Sequence, residues 1–234
     1  MIRIFLFIFF GAGLLACSSV SKIVVVNEQI AIDNYSVNNS SIDSIILPYR
    51  TELNKEMKEV IAVSEVDFLV SRPCGNLNNW VTDVLLNSQI KNMKSDEPIF
   101  CLINTGGIRS TINKGEVTLG DFYKVMPFDN LIVWVKMPIS SLVEIESYLK
   151  STGGEPIAGA LFQNGKLVIN GMNEQSNYFW IVTSDYLFNG GDKMTFFKQN
   201  LEFKVTDVLM RNALISGAKE QRILIQDTTN RIFF

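Results

Sequence analysis

Residues 97–135 read EPIFCLINTGGIRSTINKGEVTLGDFYKVMPFDNLIVWV. Positions 98–103 have the continuous apolar character of a buried strand. They run directly into Asn104-Thr105-Gly106-Gly107-Ile108-Arg109. Two adjacent glycines after a strand let the backbone turn sharply and come close to a ligand. The arginine that follows offers a planar, permanently charged fork suited to a carboxylate, a phosphate or a base edge. Taken alone, Gly106-Gly107-Ile108-Arg109 also reads as an ordinary turn with a surface arginine. Gly120-Asp121 then starts a short helix to Val125, with Asp121 placed to favour its N-terminus. Met126-Pro127-Phe128-Asp129-Asn130 sets an aromatic ring just ahead of another strand, residues 131–137, an odd place for a ring unless its face is used. That strand is apolar on both faces and is expected in the interior of a sheet.

The flanks supply the rest of an α/β (α+β) pattern of layered helix and sheet. Upstream, residues 40–58 place Ile42, Ile45, Ile46, Tyr49, Leu53 and Met57 at three- and four-residue steps, a helical pattern whose start Pro48 should kink or shift. Its apolar side is expected on the core or against a partner. Residues 60–70 hold one or two strands. Asn76 is placed to cap a helix over 77–90, with Leu77, Trp80, Val81, Val84 and Leu85 inward. Downstream, Pro138 opens a helix over 139–149, with Leu142, Ile145 and Leu149 inward. Residues 151–155 form a Gly-rich loop expected as a mobile rim. Asn164-Gly165 marks a hairpin over 160–169. A strand at 178–183 leads into Ser184-Asp185-Tyr186-Leu187-Phe188-Asn189-Gly190-Gly191-Asp192. A helix at 207–218 and a strand at 223–225 close the chain.

The first 17 residues stand apart. Arg3 is followed by an apolar run that ends Leu14-Leu15-Ala16-Cys17. This is the pattern of a secretory signal peptide, too short for a comfortable span. Leu-Leu-Ala-Cys has the form of a bacterial lipobox, in which Cys17 is lipidated. Residues 18–39 then read as a tether with edge strands at 23–26 and 30–32, and residues 40–234 as the folded domain. The expected location is the cell envelope, at the outer membrane, held by a lipid anchor. The domain is long enough to bury a core, and 47% hydrophobic with 19% charged residues is a globular balance. A net charge of −3 speaks against a nucleic-acid polymer as partner. Past Cys17 only Cys74 and Cys101 remain. Spacing allows one disulfide between them, but the mid-strand place of Cys101 favours free thiols.

The run NTGGIRSTINKGEVTLGDFYKVMPFDN resembles the signature of the 5′-nucleotidase C-terminal domain, the nucleoside-recognising half of the UDP-sugar hydrolase and ecto-5′-nucleotidase family. A second family signature, an aromatic followed by x-x-x-G-G-D, is echoed by Tyr186 through Asp192. Arg72 through Asp83 looks like a degraded version of a third, matching at Asn76, Leu77, Asn79 and Asp83. Cys74 stands there for the usual Glu and Asn78 for the usual Gly. The resemblance spans about residues 60–200, and it assigns the helix at 40–58 to the connection between the family's two domains or to the start of the C-terminal one. It implies that Phe128 and Tyr186 stack a base, that Asp192 holds the ribose, and that Asn104, Arg109, Asn130 and Arg72 give polar contacts. Asp129 and Thr105 depart from the family's usual glycines, and Lys193-Met194 from its Gly-aromatic.

The catalytic half of the same family is a two-metal phosphoesterase that needs several histidines, and these 234 residues hold none. No catalytic residue and no metal ligand is therefore expected here. Divalent metals would belong to a separate metallophosphatase partner acting on the nucleoside or nucleotide ligand. The expected function is the substrate-specificity part of a 5′-nucleotidase-type phosphohydrolase in nucleotide catabolism. The alternative is a non-catalytic nucleoside-binding envelope lipoprotein.

Overall fold

The computed structural model describes residues 40–91 and 97–234. The leader, Cys17 and the two early strands lie outside the described residues. The chain divides into Met1–Ser44 and Ile45–Phe234. Of the first unit only the opening turn of helix α1 (Ser40–Met57) is described. The helix starts where the sequence placed it. Pro48 sits inside it without shifting that start, since an exposed helix can give the one carbonyl that Pro leaves unpaired to water. Its apolar residues are not on the core: Ile45, Ile46, Tyr49 and Leu53 are exposed.

The second unit is built on a five-stranded sheet. Its strands, in chain order after β1 (Val60–Ser64), are β2 (Ile99–Leu102), β4 (Leu131–Pro138), β5 (Ile157–Ala158), β8 (Tyr178–Ser184) and β9 (Glu202–Leu209). The spatial order is β5-β2-β8-β4-β9. Strands β2 and β8 are parallel, with Ile99 opposite Trp180 and Cys101 opposite Val182. Strand β4 runs antiparallel to β8, with Ile132 opposite Ser184. A two-stranded ribbon pairs β1 with β3 (Gly115–Thr118). The interior placement of β4 agrees with its apolar faces.

These directions settle where the loops go. The C-terminal ends of β2 and β8 and the start of β4 lie at one edge of the sheet. The chain segments attached there are those carrying Asn104 to Arg109, Tyr186 to Asp192, and Phe128 to Asn130.

Helix α2 (Asn76–Ile90) backs the sheet with Leu77, Trp80, Val81 and Leu85 almost wholly buried, as their spacing predicts. Asn76 does not cap it. Its amide instead clamps the preceding loop, accepting from Leu69 N at 2.7 Å and donating to the Asp67 carbonyl at 2.8 Å, while Gly75 is the N-cap. The matched Asn79 and Asp83 are structural: Asn79 donates to the carbonyls of Asp227 and Thr229, and Asp83 pairs with the buried Arg231. Thr118 and Asp121 form a capping box on helix α3 (Leu119–Val125), so Asp121 serves the fold. Cys74 and Cys101 are free thiols, and burial pushes the Cys101 thiol far up.

The hairpin of β6 (Ala160–Gln163) and β7 (Lys166–Ile169) turns at Asn164-Gly165, both at positive φ (52° and 73°). A methyl at Gly165 meets nothing nearby, so only the backbone is penalised. Gly165→Ala is expected to destabilise the fold by about 1 kcal/mol, read as a lower urea midpoint at unchanged slope.

The C-terminal part corrects the sequence reading. Residues 202–209 form edge strand β9, and helix α6 (Met210–Gln221) starts three residues later than expected. Strand β9 is largely exposed, with Phe203 and Val205 about half exposed, and it is held by the backbone ladder to β4, the Thr206 hydroxyl donating to the Ile132 carbonyl at 2.8 Å and Phe203 packing on Phe188. Helix α6 starts where Met210, Ala213, Leu214 and Ala218 begin to be buried at helical spacing. Ile223 makes an isolated bridge to Val63 rather than a strand.

Candidate functional site

The three loops at the sheet edge enclose a cavity of about 320 Å³, at the small end of the range for ligand sites. Its lining includes Asn104, Arg109, Phe128, Asn130, Tyr186 and Asp192, with Gly106 and Gly107. Six of the seven residues named from the sequence are thus brought together from three separate stretches. Arg72 is not among them. Its guanidinium donates to the Thr152 carbonyl at 2.6 Å and pairs with Glu155 at 2.8 Å, behind the glycine turn.

Each loop is fixed from below. After β2 the chain makes a single 3-10 turn, Thr105–Gly107, closed by Gly107 N donating to the Asn104 carbonyl at 3.1 Å. A methyl on Gly107 would lie 2.8 Å from Asn104 Oδ1, so the glycine lets the amide lie against the backbone. Glu155 anchors this turn. Its Oε2 accepts from Thr105 N at 2.6 Å and from the Thr105 hydroxyl at 2.9 Å. Glu155 is 2% exposed, so it is an anchor and not part of a mobile rim. Thr105, where the family has glycine, supplies two of its bonds. Burial pushes the Glu155 carboxyl up, against the Thr105 bonds and the Arg72 charge that pull it down.

The Pro127-Phe128 turn is held by Arg211 from the first turn of α6. This buried guanidinium donates to the carbonyls of Met126 and Phe128 and to the Asp129 carboxylate, and lies 4.1 Å from the Tyr123 ring centre. Asp129, where the family has glycine, is thereby used. Met210 N donates to the Asn130 carbonyl at 2.9 Å. Phe128 and Tyr186 are each about half exposed, and neither packs on another ring among the described residues. Free aromatic faces on a cavity wall are what a flat heterocycle needs.

The third loop begins in helix α5 (Asp185–Phe188), capped by Ser184. Tyr186 lies over Gly191, where a methyl would come within 2.5 Å of its ring. Asp192 Oδ1 accepts from the Tyr186 hydroxyl at 2.9 Å and Oδ2 from Asn104 Nδ2 at 2.6 Å. The bond to Asp192 raises the Tyr186 phenol above its ordinary value. Tyr148, on helix α4 (Leu142–Thr152), donates to the Asp192 carbonyl at 3.2 Å. Burial, then the charges of Glu155 and Asp192, push Tyr148 up to about 12, so it remains a donor at neutral pH. Arg109 Nη1 donates to the Gly106 carbonyl at 3.2 Å at the cavity mouth.

Tyr148, Glu155 and Arg211 were not foreseen. Tyr148 and Arg211 carry no sequence signal beyond a polar group within an otherwise helical stretch. Glu155, between Gly-Gly and Pro156, resembles any polar loop residue until its burial is seen.

A mixed sheet with an aromatic-walled, mostly uncharged pocket at its loop edge is the architecture of a ligand-recognising lobe. Comparison with known proteins names the kind. Residues 60–145 match the family model "5′-nucleotidase, C-terminal domain". Protein UshA of Yersinia enterocolitica is 34% identical over 91 residues, 38% of this chain and 16% of UshA. Among solved structures, a 5′-nucleotidase precursor from Thermus thermophilus superposes with a TM-score of 0.66 at 23% identity, covering 82% of this chain and 43% of that one. The Haemophilus influenzae NAD nucleotidase gives a TM-score of 0.61 at 18% identity, over 83% and 41%. Residues 60–145 thus match the 5′-nucleotidase C-terminal domain, and the resemblance and the fold class read from the sequence hold. It spans less than a fifth of the length of the curated relatives it matches.

Among the described residues no three His, Cys, Asp or Glu side chains are grouped to hold a metal ion.

Proposed function

We propose that this domain is the nucleoside- or nucleotide-recognising part of a 5′-nucleotidase-type phosphohydrolase in nucleotide catabolism. The base slots between Phe128 and Tyr186, Asp192 accepts from the sugar hydroxyls, and Asn104, Asn130 and Arg109 make the polar contacts. Hydrolysis belongs to a metallophosphatase on a separate chain that docks with this one at the cell envelope, where Cys17 carries the lipid anchor. The observation that carries the reading is the convergence of six residues, from three distant stretches, on one cavity of ligand size. A sequence without histidine and without a metal-holding cluster among its described residues leaves the phosphoryl chemistry to that partner.

The test has two parts. Calorimetry on the full chain should show saturable heat with adenosine or AMP. The chain alone should release no phosphate from AMP with Mn²⁺ or Co²⁺, and should recover a metallophosphatase from envelope extracts. Turnover by the lone chain refutes the division of labour. No heat with any nucleoside or nucleotide refutes the pocket.

A further inference from the structure

Asp192 is held in a costly way. Its φ is +49°, and the next residue, Lys193, is also left-handed at +64°. A non-glycine residue in that region costs on the order of 1 kcal/mol and persists only where its surroundings enforce it. Here three donors from three elements converge on one residue: the Tyr186 hydroxyl on Oδ1, Asn104 Nδ2 on Oδ2, and the Tyr148 hydroxyl on the carbonyl. The two side-chain donors take one site on each carboxylate oxygen. A carboxylate has roughly four such sites, so one on each oxygen is left for a ligand.

We propose that the Tyr186 hydroxyl is a positioning group for sugar recognition: by holding Oδ1 of Asp192, it aims the carboxylate's remaining lone pairs at the two vicinal hydroxyls of a ribose, and so makes this pocket selective for ribonucleosides. The proposal rests on the pocket reading above. It assigns Tyr186 two separable parts. The ring, lying on Gly191, is a wall for the base; the hydroxyl acts only through Asp192. A phenylalanine keeps the first part and loses the second.

Isothermal titration of the full chain with adenosine and with 2′,3′-dideoxyadenosine separates them. Wild type should prefer adenosine. In Tyr186→Phe the ratio of the two affinities should fall about threefold to tenfold, as expected when one neutral donor to a half-exposed carboxylate is lost. In an Asp192→Gly background, which removes the carboxylate and suits the positive φ, adding Tyr186→Phe should leave the ratio where it was. An unchanged ratio in Tyr186→Phe, with adenosine still bound, overturns this inference and spares the pocket. An equal change in the ratio with and without Asp192 also overturns it, because the hydroxyl would then act directly. Failure of wild type to bind adenosine overturns the pocket reading and this inference together.

Discussion

Phe128→Ala is expected to weaken adenosine binding by about tenfold to a hundredfold, the range for removing one stacking ring from a base. The ring is about half exposed and has no aromatic neighbour among the described residues, so little folded-state burial is lost with it. The melting temperature should therefore stay nearly unchanged, as for most surface substitutions. That separation of affinity from stability makes the experiment decisive. The turn beneath is fastened through backbone carbonyls, by Arg211 to Met126 and Phe128, so truncating the side chain does not remove its anchors. Phe128→Trp should keep most of the affinity, because a flat π-face is what is used. Equal affinity in wild type and Phe128→Ala, measured by calorimetry, would mean that this ring is no wall of a base site.

The residues that face the cavity were legible in the sequence because glycine and aromatic residues in loops carry position-specific meaning. Gly106-Gly107 and Gly190-Gly191 each admit a close neighbour, the Asn104 amide and the Tyr186 ring. The convergence itself was legible only through the family resemblance. It depends on β2 and β8 running parallel with β4 reversed, and nothing local encodes which strands are neighbours. The residues behind the cavity were misjudged for a related reason. The resemblance gives Arg72 a polar ligand contact and the sequence gives Glu155 only a place in a Gly-rich loop, whereas the fold brings the two to 2.8 Å of each other. Strand β9 carries little sequence signal because its pairing with β4 is chiefly a backbone matter. Most of its side chains remain in water, and the one ring contact, Phe203 on Phe188, depends on the fold rather than on a local pattern.

Glu155→Ala is expected to cost about 2–3 kcal/mol, because it strands the backbone N–H and the hydroxyl of Thr105 together and leaves a hole behind the glycine turn. Arg72, with 44% of its side chain exposed, returns to water and adds little to the loss. For a chain of this size the melting temperature should fall by roughly 5–10 °C. Adenosine affinity should fall as well, since Asn104 and Gly106 ride on the same turn. The pH dependence follows from the direction of the Glu155 shift. Its carboxyl is raised in the folded state because burial outweighs the bonds that favour the anion. The folded protein therefore keeps this proton over a range in which the unfolded chain has released it. The stability it contributes is full below the unfolded value and declines as pH rises through the folded one. The gap between wild type and Glu155→Ala should accordingly widen as pH falls from neutral into the carboxylate range. Glu155→Gln, which copies the protonated form and keeps an acceptor for Thr105, should recover most of the lost stability. A gap that narrows on acidification, or a melting temperature unmoved by the alanine, would show that the turn is held by something other than this carboxyl group.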